Sequence, residues 1–311
     1  VNLAGLFISR GPIVQVKSTD GKIRKKFDFN PKLAWDGPLI VLVSRYSASA
    51  SEIVAGALQN HKRAIIVGDK TTHGKGTVQS LIQMNLPFNF NVSQGKKSAA
   101  KITIQKYYLP SGKSTQIQGV ESDISMPTIN TFLPIGESDL DNALPCDHIA
   151  PVNFRRPANE FVFNQEDLSR LKIDSLKRQQ IFPEFLYLKK NVDWYKNKRE
   201  ETTLSLNFKN RLAKKIEDQS FNKSMTEEFD TISENAYLKK DITLNIVAVQ
   251  NDKSRKVRGG DSNDLNSTNT FEIPDNFDIR LHETCRIMSG WVSIIETKDL
   301  TRKEPQTTDE I

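Results

Sequence analysis

An α/β fold, a β-rich core followed by a mostly helical C-terminal part, follows from three features of this 311-residue sequence. Two short apolar, β-branched runs, Pro38 to Val43 and Ala64 to Gly68, read as strands. Between them Ile53 with Ala57, and Val54 with Leu58, share a helical face, and the small residues Ala55 and Gly56 permit close packing. Late in the chain, helical spacing with outward charge replaces strand-like alternation.

Taken in order, Pro38 to Val43 is apolar without alternation, which predicts a strand buried on both faces. The chain then turns sharply through Ser47-Ala48-Ser49-Ala50-Ser51-Glu52 into the helix. Strand, helix, strand connections are right-handed crossovers in nearly all cases, so the two apolar runs should pair in parallel. The loop after the second run, Thr71 to Gly76, is polar and glycine-punctuated, and it can reach the start of the helix. Thr77 to Met84 alternates like a strand. From Phe132 to Pro157, four prolines (Pro134, Pro145, Pro151, Pro157) among acidic and polar residues mark a domain connection. Beyond it, Gln165 to Ile173 and Leu204 to Asp218 read as helices with exposed charges, and Thr243 to Val249 as a strand. Asn251 to Thr270, rich in glycine, serine and asparagine, reads as a mobile stretch. Ile279 to Ile295 resumes helical spacing, and the end from Lys298 is polar and frayed. The domains drawn this way are a core over residues 1–135 and a mostly helical extension over 136–311, mobile near 251–270.

A serine at a strand-to-helix turn lies where unpaired backbone N–H groups and the helix dipole favour negative charge, so Ser49 has an environment that suits an oxyanion. Ser49 and Glu52 also fit a Ser-x-x-Glu capping box, in which the serine oxygen accepts a backbone N–H and performs no chemistry. Lys75, between Gly74 and Gly76, is by itself a solvated loop charge; the crossover is what brings it within reach of Ser49. Such a pair performs with two residues what Ser-His-Asp enzymes do with three. A lysine is ordinarily protonated below about pH 10.4, so service as a base near neutrality demands burial against apolar surface, at a cost on the order of 4 kcal/mol. His73 is a rival partner for Ser49 at this stage. A nucleotide-binding P-loop is excluded, because five residues separate Gly68 from Gly74, Gly76 stands where Ser or Thr is needed, and the sequel is strand-like.

The formal net charge is +6. The basic clusters at 189–190, 196–199 and 253–258 are interleaved with Glu200, Glu201 and Asp252, and no helix-turn-helix, zinc-finger or RNA-binding signature accompanies them. No nucleic-acid partner is indicated; attraction to anionic surfaces or acidic proteins is compatible with the charge. The two cysteines, Cys146 and Cys285, cannot build a four-thiolate zinc site, and whether they pair is open. His282-Glu283-Thr284-Cys285 lacks the second histidine of a zinc-protease helix, which leaves Glu283 as helix surface and no metal or cofactor site. No apolar run approaches the roughly 20 residues of a membrane span, and no signal-peptide pattern stands at Val1.

Arg45-Tyr46-Ser47-Ala48-Ser49-Ala50-Ser51-Glu52-Ile53 with Gly74-Lys75-Gly76-Thr77-Val78-Gln79 resembles the active-site pair of the C-terminal processing peptidases, specifically the bacterial tail-specific proteases. Leu3 to Ile8, Gly11 to Val16, Ile102 to Tyr108, Gly119-Val120 and Asp123-Ile124 extend the likeness over about the first 130 residues. Leu144 to Ile149, Leu204 to Asn207 and Leu281 to Thr284 more weakly resemble the extension of the tail-specific branch. The resemblance implies a crotonase/Clp-protease-like core, Ser49 as nucleophile, Lys75 as general base, Gln79 orienting the lysine, and the Ala50 backbone N–H as an oxyanion donor. It further implies an ATP-independent endopeptidase of the periplasm, acting on proteins with apolar C-terminal tails. An adaptor protein and peripheral association with the inner membrane fit that setting. Three positions depart from the pattern. His73 replaces an aromatic in a loop one residue longer, Asn60 stands where some relatives carry a functional acid, and Ser122 replaces a proline, which should loosen a turn. Neither the family's upstream oxyanion glycine nor its PDZ domain is readable, so the chain is expected to be the C-terminal part of a longer protein. The alternative is a non-catalytic binding scaffold on the same fold, with Ser49 as a cap; retention of Ser49, Lys75 and Gln79 together argues against it.

Overall fold

The computed structural model of the chain describes residues 1–83, 99–155, 161–234 and 278–303. A short helix α1 (Asn2–Gly5) leads into strands β1 (Gly11–Ser18) and β2 (Ile23–Asp28), and β3 (Ile40–Val43), α2 (Ala50–Asn60) and β4 (Ile65–Gly68) follow. Next come β5 (Thr77–Gln83), β6 (Ala99–Tyr108), β7 (Ile124–Ser125), 3-10 turns at Ile129–Phe132 and Glu137–Asp139, and helices α3 (Gln165–Ile181), α4 (Pro183–Glu200), α5 (Phe208–Glu234) and α6 (Ile279–Lys303). The strands form two sheets, an antiparallel one of order β2-β1-β6-β5 and a parallel one of order β3-β4-β7. By contact density Val1–Thr202 and the helix starting at Ile279 form one compact unit, and Thr203–Asp278 another.

The crossover expected from the two apolar runs is present: β3 and β4 pair in parallel from Ile40↔Ile65 to Val43↔Gly68. β4 is the interior strand, and Ile65, Ile66 and Val67 are all fully buried. Each such side chain contributes about 1.5–3 kcal/mol by leaving water. α2 lays Ala55, Ala57 and Leu58 into a core shared with Ala4, Ile8, Ile13, Val43, Leu109 and Val120. Gly56 allows this approach, because a Cβ there would stand 2.4 Å from Leu109 Cδ2. The expectation that β3 is buried on both faces is corrected. β3 is an edge strand with one neighbour, and Leu42 is 39% exposed.

The helical part is more extensive than its sequence suggests. α3 runs on to Ile181 because Leu168, Leu171 and Ser175 continue one buried stripe. α5 starts at Phe208 and continues to Glu234, beyond the expected 204–218. α4 was not anticipated, although Pro183 opens it at a position where a missing N–H costs nothing, and Phe185 and Leu188 mark its buried side. In α6, Ile279, Glu283, Ile287 and Trp291 recur every fourth residue as a buried face, with the Phe161 and Phe163 rings 5.6 and 6.2 Å from that of Trp291. Glu283 is therefore not helix surface. It is fully buried, and the cost is offset by a two-pronged pair with Arg178, Nε and Nη2 lying 3.0 and 2.7 Å from Oε1. The strand expected at Thr243 to Val249 and the stretch from Asn251 to Thr270 lie outside the described residues.

Candidate active site

The end of β3 feeds a tight turn, closed by Ser47 N–H donating to Ser44 O at 2.9 Å, that delivers Ser49 to the N-cap of α2. Ser49 sits at φ 56° and ψ −110°, a region that costs a non-glycine residue about 1–3 kcal/mol unless its surroundings over-determine it. Glu52 supplies that determination: its Oε2 accepts the Ser49 N–H at 2.7 Å. Ser49 and Glu52 stand in capping-box positions, but only the glutamate half closes, and the Ser49 side chain makes no capping hydrogen bond. Ala50 is the first helical residue, where the N–H has no partner within the helix.

The lysine loop is built on the same carboxylate. Glu52 Oε2 also accepts the Lys75 N–H at 2.9 Å, while Oε1 accepts the Gly74 N–H at 2.7 Å and the Thr72 hydroxyl at 2.6 Å. One fully buried side chain therefore holds the backbone of Ser49 and of Lys75 on a common frame. Burial pushes the Glu52 carboxyl above the ordinary glutamate value, against the pull of its Thr72, Gly74, Ser49 and Lys75 donors. Gly74 adopts φ +95°, and a Cβ there would stand 2.7 Å from Ile117 O, so the loop requires glycine at this point.

Further backbone groups of the loop are bonded as well. His73 N–H donates to Ser47 O at 2.9 Å, Ile117 N–H to Gly74 O at 2.7 Å, and Gly76 N–H to Gln116 Oε1 at 2.8 Å. The Lys75 carbonyl accepts from Thr115 Oγ1 at 3.1 Å and from the Tyr107 hydroxyl, which also reaches Ser49 O at 3.2 Å. Burial pushes the Tyr107 phenol well above its ordinary pKa, which keeps it a donor. The Lys75 side chain is half-buried, and its Nζ donates to Gln79 Oε1 at 3.3 Å.

Of the sequence-singled residues, Ser49 and Lys75 have their backbone N–H groups on one oxygen of Glu52, Ala50 opens α2 beside Ser49, and Gln79 of β5 accepts from the lysine amine. His73 instead faces Glu137, its Nδ1 lying 3.8 Å from Oε2. Asn60 presents Oδ1 to the Ser111 N–H at 2.8 Å, an acceptor role that a carboxylate would also fill. Ser122 does not loosen its turn: its N–H donates to Lys70 O at 3.1 Å, a bond no proline makes, and its hydroxyl to Asp69 O at 2.6 Å. Both cysteines are free. The sequence reading missed Thr72, Tyr107, Thr115, Gln116 and Glu137, and it took Glu52 for a cap alone. The tell-tale for Glu52 was an acid in the first turn of a helix opened by a serine turn; Gln116 carried no local signal at all. Among the described residues no helix is long and apolar enough to cross a membrane.

Comparison with known proteins places this geometry in context. The profile of peptidase family S41 matches residues 1–126, and that of the C-terminal domain of tail specific protease matches residues 131–293. The tail-specific protease of Haemophilus influenzae is 37% identical over 227 residues, 71% of this chain and 31% of that protein. The carboxy-terminal-processing protease of Bartonella bacilliformis is 38% identical over 147 residues, 45% of this chain and 31% of that protein. Among solved structures, the photosystem II D1 C-terminal processing protease matches with 33% identity and a TM-score of 0.34, covering 40% of this chain and 30% of that one. The chain thus spans 31% of the length of each of the two bacterial relatives.

Proposed function

The chain belongs to peptidase family S41, in the branch carrying the tail-specific protease C-terminal domain, and on that premise we propose that it forms the Ser-Lys catalytic part of a serine endopeptidase. The observation that carries the proposal is the Glu52 carboxylate, which accepts the N–H of both Ser49 and Lys75 and so fixes nucleophile and base on one frame. Ser49 Oγ attacks the scissile carbonyl while neutral Lys75 Nζ takes its proton. The tetrahedral oxyanion is held by the Ala50 N–H at the positive end of α2. Lys75 then passes the proton to the departing amine, leaving an acyl group on Ser49, and finally deprotonates the water that releases it. Gln79 keeps the amine aimed through the 3.3 Å hydrogen bond.

We divide the chain into a catalytic core over residues 1–135 and an extension over 136–311; the S41 profile ends at residue 126 and the C-terminal-domain profile begins at 131, a few residues ahead of that boundary. A second oxyanion donor and a substrate-capturing PDZ domain belong, on this reading, to a longer protein. We place its substrates among proteins with apolar C-terminal tails and its site of action in the periplasm. An adaptor and peripheral contact with the inner membrane complete this setting. The test is cleavage of an unfolded protein bearing an apolar tail by the full-length protein, with neither ATP nor metal added. Cleavage that disappears in both Ser49→Ala and Lys75→Ala supports the proposal; a folded wild type that cleaves none of several tailed substrates replaces it with a binding scaffold.

A further inference from the structure

Glu137 lies just past the core, in the 3-10 turn Glu137–Asp139, and is 8% exposed. A carboxylate taken out of water needs partners, and both side-chain partners found here serve the lysine loop. Oε1 accepts from Gln116 Nε2 at 3.1 Å, and Gln116, itself fully buried, accepts the Gly76 N–H through its other amide atom at 2.8 Å. Oε2 faces His73 Nδ1 at 3.8 Å, and the Glu137 N–H donates to His73 O at 3.0 Å. The turn therefore grips the loop on both flanks of Lys75, at His73 and at Gly76. A second strap runs parallel to it: Arg45 reaches Ser138 Oγ at 3.4 Å from one Nη, and Thr71 Oγ1 and Thr72 O at 2.8 and 2.9 Å from the other.

We propose that Glu137 is a positioning residue for the catalytic lysine, its carboxylate acting through Gln116, so that the first turn of the extension is part of the active-site frame. The inference rests on the Ser-Lys reading above for its kinetic consequence and on the hydrogen bonds alone for its structural one. Glu52 of α2 fixes the N–H groups of Gly74 and Lys75; the Glu137 relay through Gln116 fixes the next amide, Gly76. With the Gly76 tether released, the loop keeps its Glu52 bonds but the segment that carries Lys75 is held less tightly. A misplacement of this kind affects the chemical step rather than ground-state binding.

The experiment compares Glu137→Ala, Glu137→Gln and wild type in the full-length protein. Glutamine keeps an oxygen for Gln116 Nε2 and is the conservative rescue. Glu137→Ala should lower kcat about tenfold or more with KM changed by less than about twofold, and Glu137→Gln should recover most of the loss. Amide hydrogen exchange supplies a readout independent of cleavage. In Glu137→Ala, the Gly74, Lys75 and Gly76 amides should exchange about tenfold faster while the α2 amides keep their wild-type rates, and Glu137→Gln should restore protection. If Glu137→Ala does not fold, Gln116→Ala breaks the same link at Gly76 and should give the same loop-confined pattern. Wild-type exchange at Gly74 to Gly76 in a folded Glu137→Ala protein overturns the proposal, as does equal damage from Gln and Ala. A wild type without cleavage activity tells against the protease reading, and the exchange comparison then decides the positioning role by itself.

Discussion

Glu52→Ala is the perturbation that the site geometry makes most consequential. It removes the acceptor of three backbone N–H groups, those of Ser49, Gly74 and Lys75, together with the Thr72 hydroxyl. Each N–H left without a partner out of water costs about 1–3 kcal/mol, or about 3–9 kcal/mol for the three. Thr72 Oγ1 still accepts the Val120 N–H at 2.8 Å and adds little to the loss. Water entering the vacated space satisfies part of the demand, and a carboxylate no longer has to be buried, so the net loss should fall near the lower end, about 3–5 kcal/mol. That is a large share of the about 5–15 kcal/mol by which domains are stable. The strained Ser49 backbone, φ 56°, would relax at the same time and carry the hydroxyl away from the lysine. The assay is urea unfolding of wild type and variant, paired with the rate at which Ser49 reacts with a serine-directed phosphonate. A stability loss below about 1 kcal/mol, or reactivity at the wild-type rate, would refute the claim that this carboxylate is the common frame of nucleophile and base.

Lys75→Arg should leave the fold intact and lower kcat by at least about 100-fold, because a guanidinium stays protonated and cannot accept the Ser49 proton; near-wild-type turnover would eliminate the neutral-base role. Arg178→Ala strips the principal partner from fully buried Glu283, leaving Arg286 Nη1 at 3.5 Å as its partner among the described residues, and should cost about 3 kcal/mol in denaturant unfolding. A loss near zero there would mean that the pair does not tie α6 to α3. Asp123 gives a pH prediction. Its carboxyl accepts the Ile66 N–H at 2.7 Å, and burial raises its pKa above the ordinary 3.8. The folded state thus holds this proton at higher pH than the unfolded state, so the associated stability is fully present below 3.8 and declines as pH rises through the raised value. Unfolding free energies measured between about pH 3 and 7 should decline less in Asp123→Asn than in wild type, the share of Glu52 remaining in both; identical profiles would refute the assignment.

The parts of this molecule that sequence discloses are those governed by local rules. The crossover at 38–68 was legible because β-branched runs and i,i+4 spacing act within a few residues of each other, and the parallel pairing of β3 with β4 follows from handedness alone. Which strand lies inside the sheet is not a local property, and β3 proved to be an edge although its residues are as apolar as those of β4. Glu283 shows the same limit: a charge on a helix reads as surface until the arginine that pairs with it, remote in the chain, is folded against it. Within the site, Ser49 and Lys75 announce themselves through the serine run and the Gly-Lys-Gly loop. The groups that hold them are silent, because Tyr107, Gln116 and Glu137 act through contacts made only after β6, the segment beyond it and the 137–139 turn close around the loop.

The most direct test of the Ser-Lys account is intact-mass and peptide analysis of the full-length protein after reaction with a fluorophosphonate, in which a serine oxygen displaces fluoride and its proton passes to the base. The account predicts one adduct, on Ser49, absent in Ser49→Ala and formed at least about 100-fold more slowly in Lys75→Ala. An adduct elsewhere, or labelling of Ser49 that is indifferent to Lys75, would contradict it.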